Sequence, residues 1–357
     1  MQSDVVKRLS DNEKLVLSAC ALSAVRPIEA IARQTGLSQA SVRYAIQRML
    51  DERIIEPRNY LDVFRLGLSS YVLLFSLRSQ ETAQRSQIVE ALAKLPGVVW
   101  FSEVGGDYEY ILNVCVGDVH SLMQLLDQVG ERFGEVFSKK VFAQHVSYRD
   151  YSYGFSDKGQ FSPEFVGTSP RFTKLNFDET DHLVLREIAE RPCSYRELAE
   201  RLKMPTTTAQ YRVEKLRREG ILKATIFLVN HSLLGFSSIL MLLYAKVSNK
   251  SLRAALHEFA LTSQNITTLT ESVGSWDFEL SAIARTPNDM RQLRDEIANR
   301  FPGQFELISS VPMYRLIRWN QYPFQSFDEY LASTSCRVLS RFEDGNDDSA
   351  RKSASNL

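Results

Sequence analysis

The sequence predicts an α+β fold built twice in one chain: a winged helix-turn-helix domain followed by a ferredoxin-like βαββαβ domain, then the same pair again. Three observations carry this. Apolar residues recur at helical spacing in three short runs between Asp178 and Leu222, and the pattern recurs between Asp11 and Ile55. Each set is followed by alternating strand and helix signals in the order βαββαβ.

In the second copy the runs are Leu183, Leu185 and Ile188, then Leu198 and Leu202, then Ala209, Val213 and Leu216. Only Lys203-Met204-Pro205 separates the second run from the third, which is the short turn of a helix-turn-helix. In the first copy Leu15-Val16-Leu17 aligns with Leu183-Val184-Leu185 at an offset of 168 residues. After a one-residue gap, Tyr44, Ile46, Glu52 and Ile54 fall opposite Tyr211, Val213, Glu219 and Ile221. Ser38 suits an N-cap, and Val42, Ala45, Ile46 and Met49 form the stripe to be buried.

The faces left outside those stripes are the candidate contact surfaces. In the first copy they hold Ser38, Gln39, Ser41, Arg43, Tyr44, Gln47 and Arg48, and in the second Thr206, Thr207, Thr208, Gln210, Tyr211, Arg212, Lys215 and Arg218. Short polar hydrogen-bonders mixed with cations suit base edges and phosphates in a major groove, so double-stranded DNA is the expected partner. Residues 203–223 hold six cations against two acids in a chain of zero formal net charge. The first copy is weaker, with Arg43, Arg48, Arg53 and Arg58 against Asp51, Glu52 and Glu56. The second copy is therefore expected to dominate DNA affinity. A basic helix end that merely complements its dipole gives the same composition.

The βαββαβ units are expected at 71–77, 84–95, 98–104, 109–116, 119–133 and 140–146, and at 239–247, 252–261, 266–273, 278–284, 288–301 and 305–314. Both helices cover one sheet face, so the other must be buried, and the second copy is the economical cover. An internal pseudo-dimer follows, with higher assembly left open. The domains are then 1–62, 63–153, 174–230 and 231–325, with a Gly/Ser/Pro-rich linker at 154–173 and a polar tail at 326–357 whose end is expected to be disordered. Two aromatic and cationic stretches, 148–153 and 313–322, suit edge strands with snorkelling arginines, or else a ligand or partner surface.

Four scattered cysteines, Cys20, Cys115, Cys193 and Cys336, form no CxxC and no Cys/His spacing, so free thiols and no metal site are expected. No cofactor motif is identified. The N-terminus lacks an apolar signal core, and the most apolar run, 233–247, is too short and serine-interrupted to span a bilayer; the chain reads as cytosolic, with no membrane partner.

In order, these features resemble the feast/famine regulators, the Lrp/AsnC family. Phe177-Asp178-Glu179-Thr180-Asp181 and Leu9-Ser10-Asp11 are similar to the family's opening, and Leu37-Ser38-Gln39-Ala40-Ser41-Val42 to its third-helix start. Arg212, Leu216, Gly220 and Ile221 match the close of that helix; the first copy has Ala45 for the arginine and Arg53 for the glycine. The resemblance implies a DNA-binding module joined to a dimerising sensor that binds an amino acid or similar effector near a Gly-x-x-Asp turn. Carried over, the effector positions are Gly106, Asp107 and Glu109, and Gly274, Trp276 and Asp277. A tight hairpin needs the same glycines for its own sake.

Proteins similar to this family also include sirohaem decarboxylases, which is the enzyme alternative. Of His120, His145, His182, His231 and His257, only His145 has polar sequence neighbours at a domain edge. No catalytic residue is assigned, and a non-enzymatic role is expected.

Overall fold

In the computed structural model, residues 6–151, 165–168 and 175–334 are described. Each half opens with three helices: α1 Asp11–Cys20, α2 Ile28–Thr35 and α3 Gln39–Asp51 in the first, α6 Glu179–Glu190, α7 Tyr195–Leu202 and α8 Thr206–Arg218 in the second. Capping boxes start α1 (Ser10 with Glu13), α6 (Asp178 with Asp181) and α7 (Ser194 with Glu197). The turn before α3 uses Gly36 at φ 73°, whereas the turn before α8 puts Lys203 at φ 52°.

After its helices each half sends out a strand, β1 Ile55–Leu61 and β7 Leu222–Val229, and these two pair antiparallel with each other. The helical domains are thereby tied across the repeat. The core of the first includes Phe227, Val229 and Leu234 from the second half, while that of the second includes Leu61, Leu66 and Leu68 from the first.

The remaining elements of the first half are β2 Ser69–Leu77, α4 Thr82–Lys94, β3 Val98–Val104, β4 Tyr110–Val116, α5 Val119–Phe133 and β5 Phe137–Asp150. A short β6, Phe165–Thr168, pairs with the end of β5. The second half repeats them as β8 Ser237–Ala245, α9 Lys250–Thr262, β9 Ile266–Gly274, β10 Phe278–Ala284, α10 Pro287–Arg300 and β11 Phe305–Trp319. The strand order β2-β4-β3-β11-β8-β10-β9-β5, with β5 also bonded to β2, closes eight strands into one barrel.

Two long strands make the closure. β5 pairs with β2 through His145 and, overlapping from Ala143 to Asp150, with β9. β11 pairs with β8 through Pro312 and then with β3 from Met313 to Trp319. The stretch at 313–319 is thus an inter-copy seam, not an edge strand as expected, and 148–150 likewise pairs with β9. Helices cover each outer sheet face, and the inner faces meet in a core of Val72, Leu74, Val104, Ile111, Ala143, Leu240, Leu242, Trp276 and Val311. Each such side chain, taken fully from water, contributes about 1.5–3 kcal/mol.

One element was not anticipated. Where the tail was expected from residue 326, α11 Phe327–Thr334 forms and seats Tyr330 in the core of the second helical domain. Most of the linker, the expected disordered end and Cys336 lie outside the described residues. Cys20, Cys115 and Cys193 are free, and burial pushes the thiols of Cys20 and Cys115 up to about 12, which leaves them unreactive.

Candidate nucleic-acid interface and sensor turns

The third helix of each helical domain presents the faces expected to meet DNA. On α3, Gln39, Arg43, Tyr44 and Gln47 are exposed, with Tyr44 at 72%. Ser38 is spent on the helix start, its hydroxyl accepting from the Ser41 amide at 3.1 Å. Arg48 turns inward: its guanidinium donates to Glu13 at 2.7 Å and to Glu52 at 2.9 Å, and these bonds hold it above the usual arginine range.

On α8, Thr206, Thr207, Gln210, Tyr211 and Arg218 are exposed, and Thr208 is half-buried. Lys215 is not on this face. It is 5% exposed and its ammonium donates to Asp181, itself fully buried, at 2.5 Å. Arg212 donates to Asp178 at 2.6 Å and to Asp181 at 3.0 Å. Burial pushes the Asp178 carboxyl up, but the Arg212 bonds outweigh it and hold it below the usual carboxylate range. Arg217 pairs with Glu214 and Lys223 with Asp62. Of the six cations counted between 203 and 223, Lys203 and Arg218 remain for an outside partner. The expected charge advantage of the second copy is absent, because most of its cations fasten α8 to its own domain.

The two copies use matching anchors. Glu13 occupies the place of Asp181 and Arg48 that of Lys215, so each domain ties its third helix to its first by a buried carboxylate and a cation. The first copy carries Ser10 and Ala45 where the second has the bonded pair Asp178 and Arg212. The signal was present in the sequence, since acid and cation recur at the same offsets in both copies.

The sensor turns connect β3 to β4 and β9 to β10. Gly106 sits at φ 91° and Gly274 at φ 139°, both left-handed values that favour glycine. A Cβ on Gly274 would lie 2.8 Å from the Phe142 carbonyl oxygen, so close passage of β5 also demands glycine there. The turn carboxylates act as backbone latches. Glu109 accepts the Leu77 amide at 2.9 Å and pairs with Arg85 at 3.0 Å, and Asp277 accepts the equivalent amide of Ala245 at 2.8 Å. Asp107 is exposed. Trp276 is 2% exposed and points into the barrel, its indole donating to Glu279 at 2.8 Å.

Glu279, which the sequence reading did not single out, centres a polar cluster on the β5–β9 seam. It accepts from Trp276 and Ser272 and lies 2.9 Å from His145 Nε2; His145 Nδ1 contacts the Ser70 hydroxyl at 3.0 Å, and Asn113 donates to that hydroxyl. Burial pushes the Glu279 carboxyl up, yet His145 and the hydrogen bonds bring it below its ordinary range. His145 is thus built into a saturated network. The other histidines are scattered: His182 is buried against the Tyr322 hydroxyl, His231 is driven down to about 4 by burial, His257 meets Tyr151, and His120 contacts Gln124 on α5. Among the described residues no group of three or more His, Cys, Asp or Glu could hold a metal, and no helix is long and apolar enough to cross a membrane.

Comparison with known proteins agrees with both kinds of domain. Residues 177–223 match a family described as winged helix-turn-helix DNA-binding, and residues 70–145 match the Lrp/AsnC ligand binding domain. An uncharacterised HTH-type transcriptional regulator of Pyrococcus furiosus is 30% identical over 110 residues, which cover 30% of this chain and 72% of that protein. The HTH-type transcriptional regulator FL11 of the same organism is 25% identical over 122 residues, 34% of this chain and 80% of that protein. The crystal structure of the siroheme decarboxylase NirDL superposes with a TM-score of 0.53 over 93% of this chain and 99% of that chain; at 14% identity this likeness is one of fold.

Proposed function

The chain belongs to the Lrp/AsnC family of transcriptional regulators, and on that premise we propose that it is a DNA-binding regulator whose two recognition helices read unlike half-sites. The observation that carries this is the pair of outward faces on α3 and α8. Each is fastened to its domain by a buried ion pair, and each bears exposed amides, a tyrosine at the matching position (Tyr44, Tyr211) and one free arginine (Arg43, Arg218). Gln39, Arg43 and Gln47 cannot form the hydrogen bonds that Thr206, Thr207 and Gln210 form, so the preferred site is not palindromic.

Pairing of β1 with β7 holds the two helical domains in one arrangement, and each packs on elements of the other half, so a change in the barrel has a path to both. A small-molecule effector, with amino acids the first class to try, acts through the sensor turns. Because the Glu109 and Asp277 carboxylates are occupied by backbone amides, such an effector is recognised mainly by the exposed turn backbone at Gly106 and Gly274 and by Asp107.

The test is a gel shift and footprint at low salt with fragments flanking the chain's own gene. An asymmetric footprint is the expected result. A folded protein that shifts none of these fragments overturns the reading, and a footprint of perfect two-fold symmetry overturns the unlike half-sites. A thermal-shift panel of amino acids tests the effector: at least one should raise Tm, and none doing so would remove it.

A further inference from the structure

We propose that the cavity between the first helical domain and the second sensor domain binds a small carboxylate with an aromatic body. The argument starts in the opposite half, where the equivalent space is filled by the chain itself. After β11, residues 320–334 fold back as an apolar plug: the Tyr322 hydroxyl meets His182 at 2.7 Å, and the Tyr330 ring packs 5.1 Å from Phe177. The Tyr330 hydroxyl donates to the Leu66 carbonyl at 2.9 Å, and the Gly117 amide donates to the Ser333 carbonyl at 2.6 Å.

At the repeat offset, Phe177, His182, Leu66 and Gly117 become Leu9, Lys14, Leu234 and Arg285. All four of these line a cavity of about 730 Å³, well within the size of small-molecule sites. Among the described residues no helix follows β5 as α11 follows β11; the chain instead resumes at β6 along the edge of β5. One half holds aromatic rings where the other holds a space.

The substitutions lining that space change its chemistry in one direction. Gly117 permits the close approach of α11, since a Cβ there would lie 2.6 Å from the Ser333 oxygen, and its counterpart Arg285 replaces that permissive position with a cation. His182 becomes Lys14, and Asn176 becomes Arg8. The Arg285 guanidinium is held 4.0 Å over the Phe236 ring and donates to the Leu234 carbonyl at 3.0 Å. Arg8 is exposed and makes no ion pair among the described residues. Two acids also line the cavity: the Asp289 carboxylate accepts the amides of Arg285 and Thr286, and Glu296 is exposed. Cations above an apolar wall of Leu9, Leu234 and Phe236 suit a carboxylate joined to a ring. The occupant would join the segment leading into α1 to the sensor strand end, and so couple ligand to the first helical domain.

The experiment is isothermal titration of the full chain with phenylpyruvate and, as a probe of equal ring and opposite charge, phenethylamine. Phenylpyruvate should bind saturably with one site per chain, and phenethylamine at least about tenfold more weakly. Arg8→Ala, a change at an exposed side chain, should weaken phenylpyruvate by about tenfold, the worth of one charge-assisted contact. Ala284→Trp should fill the space and abolish binding; if that variant does not fold, Arg8→Ala decides. No saturable binding, equal binding of the amine, or indifference to Arg8→Ala would each overturn the proposal. The measurement involves no DNA, so its outcome is independent of the regulator reading.

Discussion

The two seams that close the barrel occupy equivalent places and are built from opposite materials. On the β5–β9 seam His145, Glu279, Trp276 and Ser272 form a buried hydrogen-bonded network. On the β11–β3 seam the positions of those four residues are held by Met313, Ile111, Tyr108 and Val104, which join the apolar core of the barrel. A homodimer would be obliged to repeat one solution at both seams. A fused pair is not, and here one seam contributes transfer free energy while the other requires its groups to meet in one register. The comparison teaches that fusion let the halves specialise, and it can be broken experimentally.

The largest effect is expected from importing half of the apolar solution. Glu279→Ile leaves His145 and the Trp276 N–H buried without their acceptor and should cost about 3–5 kcal/mol in denaturant unfolding. Adding His145→Met, which completes the exchange, should recover most of that loss, since apolar replacement of a buried pair is often neutral or stabilising. If the double variant is no better than the single, the seams are not interchangeable. The network also has a pH signature. The folded Glu279 carboxyl lies below its unfolded value, so its stabilisation is fully present above the ordinary glutamate range and is lost as pH falls through the depressed folded value. Glu279→Gln should flatten that part of the acid limb of a stability curve.

Next in size is the contrast between the helical anchors. Lys215→Met removes the partner of a fully buried Asp181 and should cost about 3–5 kcal/mol. Arg48→Met, at a side chain that is one-third exposed, should cost about 1.5–3 kcal/mol. Both are read by urea unfolding, and equal losses would remove the distinction.

These anchors mark where the sequence was legible. The three apolar stripes and the βαββαβ order could be read because periodicity reports burial directly, and the need for an inner-face cover followed from one-sided helices. Charge counting failed on Lys215 and Arg212, since composition does not report which way a long side chain points. Both flank the stripe of Ala209, Val213 and Leu216 at a step of three, where an inward path exists. The handover of β5 and β11 between sheets was hidden because a strand pattern shows alternation and not partner, and α11 was missed because eight residues before a polar tail give too little period.

A smaller effect separates the recognition faces. With Lys215 and Arg212 engaged internally, Arg43→Ala and Arg218→Ala should each lower the salt-dependence slope of DNA binding by about 0.9, the loss of one phosphate contact. A slope change confined to Arg218→Ala would restore the dominance of the second copy that its composition suggested.

The smallest effect tests whether the copies still share one framework. Ser10→Asp with Ala45→Arg would graft into the first helical domain the bridge that Asp178 and Arg212 form in the second. Arg212 keeps 21% of its side chain exposed and Asp178 48%, so the bridge is well solvated and its coupling should be only about 0.2–1 kcal/mol in a double-mutant cycle. Ala45 is 2% exposed, so Ala45→Arg alone forces the side chain outward past α1 and should destabilise. The added Ser10→Asp should then return part of that loss, because an aspartate at the α1 N-cap keeps the capping bond to the Glu13 amide while offering the guanidinium a partner. A coupling of zero or of opposite sign would show that α1 and α3 no longer meet as α6 and α8 do, and that the first domain has diverged in backbone as well as in side chains.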